Sequence, residues 1–256
     1  MMLKNRRAMR KARQQRPRAR SAAVDQYLHA MMLLTDHGQQ ADTGDLAERV
    51  GVTPAAASQM LRKLAELGLV KLERYRGAEL TTEGLHRALR VVRRHRLLEL
   101  FLHKVMGFGL QDLNQRASAL ESVIDELFEE RLDAMLGSPK IDPHGRPIPG
   151  RNVAWPKLGD SPLLDLPAGT TGEISRITTD SAEAIKYLHG LGLAPGAAIV
   201  LEGVAPFDGP VSLGIKGNTI HLGRRVAQML HVSEEGRRKA LGAVKPSKGE
   251  PKDKAS

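Results

Sequence analysis

Along the first third of the chain, apolar side chains recur at helical spacing in three short blocks. In residues 22–36, AAVDQYLHAMMLLTD, the positions Tyr27, Leu28, Met31, Met32 and Leu34 share a face and predict a helix that His37-Gly38 stops. A second block follows the potential caps Asp42 and Thr43, turns Leu46, Ala47 and Val50 inward and ends at Gly51. The third opens on Thr53-Pro54, a capping residue followed by proline at the first helical position, where a missing N–H costs nothing. It runs to Gly68 with Met60, Leu61, Leu64 and Leu67 as its stripe. The period then changes, because LVKLERYRGAELTTEG alternates around Arg74-Tyr75-Arg76-Gly77 and predicts a β-hairpin with a basic tip.

Helical spacing returns over residues 82–106, with Leu85, Leu89, Val92, Leu97, Leu98, Phe101 and Leu102 on the expected buried side. A further helix is expected over roughly residues 111–136, striped by Leu120, Val123, Ile124, Leu127 and Leu132. Two long amphipathic helices of this kind form a natural dimer platform. A proline-rich joint, PKIDPHGRPIPGRNVAWP, follows. From about Leu166 to Val232 the texture becomes short β-branched runs punctuated by glycine: GTTGEISRIT, AAIVLEGVAP, VSLGIKG and NTIHLGRRVAQML. These predict a small β-barrel, interrupted by a helix in SAEAIKYLHGLGLAPG.

Two short helices around Gly51-Val52, with a slim third-helix face, make the helix-turn-helix pattern, since only small and polar residues fit the major groove. Thr53, Pro54, Ala55, Ala56, Ser58, Gln59, Arg62 and Lys63 form that face, with Arg74 and Arg76 at the wing tip. Methyl groups suit thymine, the Gln59 amide suits adenine, and the cations suit phosphate or guanine. Double-stranded DNA is therefore the expected partner.

Composition narrows the rest. With 41% hydrophobic and 27% charged residues the chain has the make-up of a soluble globular protein. No stretch approaches the roughly 20 apolar residues of a membrane helix, and the basic N-terminus lacks the apolar core of a signal peptide. No membrane association and a cytoplasmic location are expected. Cysteine is absent, which excludes disulfides, thiolate metal sites and cysteine nucleophiles. The sequence holds no GxxxxGK[ST], HExxH or GxSxG motif, and Glu129-Glu130 are sequence neighbours that a helix points about 100° apart. No enzymatic activity is expected. Much of the net charge of +10 lies in residues 1–20, where nine arginines and lysines stand without an acid. Such a segment is too polar to bury a core, and phosphate contact is its expected use.

Three stretches carry a resemblance to a known family. VTPAAASQMLRKLAELGLVKLERYRGAELTTEG resembles the recognition helix and wing of the DtxR/MntR iron- and manganese-dependent repressors. RRHRLLELFL is similar to that family's His-Arg-Leu-x-Glu element, and DPHGRPIPG to the motif that ends its dimerisation domain. The segments LPAGTTGEISRIT and LGLAPGAAIVLEGVAPFDGPVSLGIKGNTIHLGRRVAQML resemble the SH3-like FeoA domain of longer members. The resemblance implies an α+β fold: an N-terminal winged helix-turn-helix, a helical dimerisation domain and a C-terminal SH3-like β-barrel. The expected divisions are a disordered basic arm at 1–21, the winged helix-turn-helix at 22–84, a metal-binding and dimerisation domain at 85–150, a linker at 151–165, the FeoA-like domain at 166–232 and a flexible tail at 233–256.

It further implies a dimeric regulator, a repressor of metal-homeostasis genes that takes Mn²⁺ or Fe²⁺ and binds a palindromic operator. His95, Glu99 and Glu121 match the family's ligand positions, and His29 lies where manganese-type members place a Glu. Gln26, Ser118 and Ser122 replace other ligands, and Asn114 stands where iron-type members carry an ancillary His. Serine hydroxyls are poor donors to first-row metals. The expected site is thus rebuilt from His29, His95, Glu99 and Glu121. The alternatives are a family member freed of metal control and a non-enzymatic adaptor that uses its barrel.

Overall fold

The computed structural model describes residues 22–34, 40–73, 77–121, 123–152 and 158–233. The expected basic arm, the wing-tip residues Arg74 and Arg76, Ser122 and the C-terminal tail lie outside them. Two compact units emerge. The first holds the described residues up to Phe108, Asp112–Asp142 and the described part of Pro147–Pro156; the second holds Gly109–Gln111, Pro143–Arg146 and the described residues from 158 onward.

The first unit begins with helix α1 (22–34), then α2 (Thr43–Val50) and α3 (Pro54–Glu66). Asp42 caps α2 by accepting from the Gly44 amide at 2.6 Å, and Thr53 caps α3 by accepting from Ala56 at 3.3 Å. Gly51 closes α2 in the left-handed region, at φ 74°, which a side chain would resist. Strands β1 (Val70–Glu73) and β2 (Gly77–Leu80) pair antiparallel, and Ala41 bridges to Ala78 as a third short edge. Leu28 and Met31 of α1, Leu46 of α2, Leu61 and Leu64 of α3 and Ala88, Leu89 and Val92 downstream share one core.

Helix α4 (Thr82–Lys104) starts where Thr81 accepts from Gly84 N at 3.0 Å. Gly84 is required there, because a Cβ would stand 1.9 Å from the Leu69 carbonyl oxygen. Beyond it the expected single helix over 111–136 is in fact two, α5 (Leu113–Glu121) and α6 (Glu126–Met135). Asp125 begins the second of them as its N-cap, accepting from Phe128 N at 2.9 Å. The expected buried stripe is corrected with it. Leu132 is buried, but Val123 is 75% and Leu127 62% exposed, so most of these apolar positions do not serve the chain's own core. Leu85 at the start of α4 is likewise exposed.

Buried charge ties α4 to its surroundings. Arg93 donates to the Pro149 carbonyl at 2.8 Å and lies 2.9 Å from Asp133 and 3.2 Å from Glu129 on α6. Arg96 donates to the Pro147 carbonyl and faces Asp142 at 3.8 Å. The PIPG segment therefore supplies carbonyl acceptors to buried guanidinium groups, a role no periodicity announces.

The second unit is an antiparallel sheet of six strands in the order β3-β8-β4-β5-β6-β7, the SH3-like architecture expected. They are β3 (Asp160–Pro162), β4 (Thr171–Ile177), β5 (Ala198–Val204), β6 (Val211–Ile215), β7 (Asn218–Leu222) and β8 (Leu230–Ser233). Helices α7 (Ala182–Gly190) and α8 (Arg224–Ala227) interrupt it, and β3 lies inside the stretch expected to be linker. Irregularities at Ile174/Arg176 and Leu201/Gly203 bend the strands around a core of Ile174, Leu188, Leu201, Leu213 and Leu222. Pro143–Arg146 belongs to this unit: His144 O accepts from Ile177 N at 2.9 Å, and Arg146 reaches Asp180 at 2.5 Å. No described helix is long and apolar enough to cross a membrane.

Two substitutions test this packing in urea unfolding. Gly84→Ala raises intrinsic helix propensity yet is expected to cost about 1–3 kcal/mol, since its methyl group meets backbone. Arg93→Ala, which takes the buried guanidinium from Asp133, Glu129 and the Pro149 carbonyl, is expected to cost about 3 kcal/mol, against less than about 1 kcal/mol for Arg151→Ala, whose side chain is 60% exposed and lies 3.5 Å from the same Asp133. Equal losses for the two arginines would refute the buried network.

Candidate metal centre and nucleic-acid interface

The face of α3 is laid out by its cap. With Thr53 Oγ1 held by the helix N-terminus, the chain enters α3 so that Ala57, Leu61 and Leu64 point into the core. Thr53, Pro54, Ala55, Ala56, Gln59 and Arg62 are exposed on the other side, and Ser58 and Lys63 are half-buried beside them. No described charge opposes this face within α3, where Glu66 is the only acid and stands in the last turn. Small side chains next to the backbone, one amide and two cations are the chemistry that base edges and phosphates accept.

The second cluster gathers on α4. His95 is 1% exposed and Glu99, one turn later, is fully buried. His95 Nδ1 lies 3.2 Å from Glu121 Oε2, at the end of α5, and Nε2 lies 3.4 Å from Glu99 Oε1. The His29 ring of α1 stands 4.6 Å from the His95 ring, tilted by 59°. One donor atom each from His29, His95 and Glu121 falls within 4.8 Å of the others. Of the four expected ligands, the fold thus draws three to one point and leaves Glu99 on the other edge of the imidazole. Gln26 and Ser118 are exposed and Asn114 is half-buried.

The electrostatics follow. Burial by itself would lower the His95 pKa, but the Glu99 charge and the Glu121 hydrogen bond outweigh it and raise the pKa to about 10. Without a metal, the imidazolium supplies the cation that two neighbouring carboxylates demand. His95 Nε2 is buried without a well-aligned hydrogen bond, the mark of a group whose geometry is completed by something else. Two imidazoles and a carboxylate are good donors to a first-row divalent ion, so the residues present fit one. His29, His95 and Glu121 would hold it.

Against known proteins the chain matches three family models in order. They are the iron dependent repressor N-terminal DNA binding domain over residues 21–78, the iron dependent repressor metal binding and dimerisation domain over 81–150, and the FeoA domain over 161–234. The diphtheria toxin repressor of Corynebacterium efficiens is 31% identical over 186 residues, covering 69% of this chain and 81% of that protein. The iron-dependent repressor IdeR of Mycobacterium leprae is 29% identical over 193 residues, covering 70% and 83%. A solved manganese-dependent transcriptional repressor in complex with manganese superposes with a TM-score of 0.74 at 34% identity, covering 82% of this chain and 99% of that one. The order of the three matched domains, with the identity to these relatives, makes the chain a member of the DtxR/MntR family of iron- and manganese-dependent transcriptional repressors, in the form that carries a FeoA domain.

Proposed function

We propose that the protein is a metal-responsive repressor that binds a palindromic operator as a dimer and takes Mn²⁺ or Fe²⁺ as its effector. One observation carries this reading: donors from α1, α4 and α5 converge, and α1 shares its core with α3. When bound, the ion supplies a positive charge that holds His29 and Glu121 against His95. Fixing α1 in this way fixes the core on which α3 rests, and so the angle at which Ala55, Ala56, Gln59 and Arg62 meet the groove. An ion favours that state only by as much as it binds it better. The exposed apolar residues Leu120, Val123, Leu127, Phe128 and Met135 support a second copy as the partner, because apolar side chains left exposed along α5, α6 and the turn between them suit burial against another chain. Two copies would address half-sites about one helical turn apart, or a multiple of it.

A metal-independent regulator is the second reading, favoured by the replacement of family donors by Gln26 and Ser118 and by the carboxylates already beside His95. Calorimetric titration of metal-free protein with Mn²⁺ and Fe²⁺ decides between them. Saturable binding is expected, together with its loss in His95→Ala and a rise in operator affinity on loading; silence from the native protein would leave the second reading. For the interface, Lys63→Ala is expected to weaken every duplex alike, whereas Gln59→Ala should cost on the order of 1–3 kcal/mol at one base position. Titrations against single-base operator variants measure this, and a uniform loss from Gln59→Ala would refute its base-reading role.

A further inference from the structure

Helix α1 meets α4 through polar groups at two points a turn apart on α1. One is the packing of the His29 ring on the His95 ring; the other, four residues earlier, is an ion pair between Asp25 and Arg87. Arg87 Nε donates to Asp25 Oδ1 at 2.8 Å, and Nη2 lies 2.7 Å from the same oxygen. The Asp25 side chain is 24% and that of Arg87 34% exposed, so water and salt screen this pair less than one at the open surface. Their sequence neighbours are buried in the core of the head, Val24 and Leu28 on α1, Ala88 and Leu89 on α4. A charged contact with two prongs fixes direction as well as distance, which apolar packing does not.

We propose that Asp25 and Arg87 form a clasp that holds α1 on α4 without a metal, so that part of the operator affinity is independent of the ion. Asp25 and His29 stand one turn apart on the same face of α1, so anchoring the first brings the second over His95 before any ion arrives. An ion that finds α1 already seated has less to assemble, and correspondingly less to change. The clasp thus sets the size of the metal response: the firmer it is, the tighter the metal-free protein holds its operator and the smaller the gain on loading. Asp25 and Arg87 are positioning residues, belonging neither to the converging donors nor to the exposed face of α3. This inference rests on the operator-binding reading above.

The test uses the full chain, native and as Asp25→Asn, Arg87→Gln and the double variant. Hydrogen exchange of the α1 amides in metal-free protein needs no DNA: each single variant is expected to exchange faster than native protein, and the double variant no faster than the singles, because one contact is lost once. Unchanged exchange, or effects that add, would overturn the clasp. Operator titrations read its consequence. Without metal, each single variant is expected to bind roughly 2- to 5-fold more weakly than native protein, and with saturating Mn²⁺ equally well. The two substitutions change the net charge in opposite directions, so a loss shared by both is not a general electrostatic effect on DNA. In a protein that responds to Mn²⁺, an equal loss with and without the ion makes the pair a general brace and overturns the inference. Native protein that ignores Mn²⁺ sinks only the metal-dependent reading, since exchange and metal-free titration still decide the clasp. Native protein that selects no operator sinks the operator-binding reading and the consequence for DNA with it, and exchange alone then decides whether the clasp exists.

Discussion

A buried imidazole between two carboxylates is the constraint around which the first unit is organised. Placing His95 and Glu99 out of water is costly unless each finds an opposite charge, and the fold meets that demand by bringing α5 to one edge of the ring and keeping Glu99 on the other. Helix α4 can carry such groups because its remaining buried polar residues are also answered, Arg93 by Asp133 and the Pro149 carbonyl, Arg96 by Asp142 and the Pro147 carbonyl. The same helix begins in the core of the DNA-reading head, through Ala88, Leu89 and Val92. Charge at its middle and packing at its start are thus carried on one rigid element.

That continuity is what would give a metal at this cluster its leverage in the proposed function. Helix α1 has a single polar contribution to the cluster, His29, and packs most of its other side chains with α2 and α3. In the proposed reading, holding α1 by its histidine would act on the core of the head without touching the exposed face of α3. The exposed face of α3 has small side chains, its cap is local and its interior side is filled by Ala57, Leu61 and Leu64. The second unit has its own antiparallel hydrogen-bond register and core, and takes in the Pro143–Arg146 turn through Ile177 and Asp180.

The pattern of apolar residues determined a good deal. Three short helices, the hairpin, the long α4 and the strand-rich C-terminal segment all follow from spacing, caps and glycine, because each depends on interactions within a few residues of itself. The absence of cysteine limited any metal to imidazole, carboxylate, amide or carbonyl donors, whereas His29, His95, Glu99 and Glu121 were singled out by resemblance to the family and not by spacing. The face of α3 also followed, since a helix with a proline start and a leucine stripe has one side left for contact.

What spacing could not decide was anything that depends on which partner lies across. The stripe of Leu120, Val123 and Leu127 has the same period whether it meets its own chain or another copy, and only the packing showed it turned outward. Asp125 is as good a helix residue as a cap until the backbone around it chooses. Glu99 lies one turn from His95 by spacing alone, whereas Glu121, 26 residues away, reaches the other edge of the ring only through the fold. Sequence fixes periods and chemistries because those are local, whereas direction across an imidazole or a helix interface is a long-range property that tertiary structure alone decides.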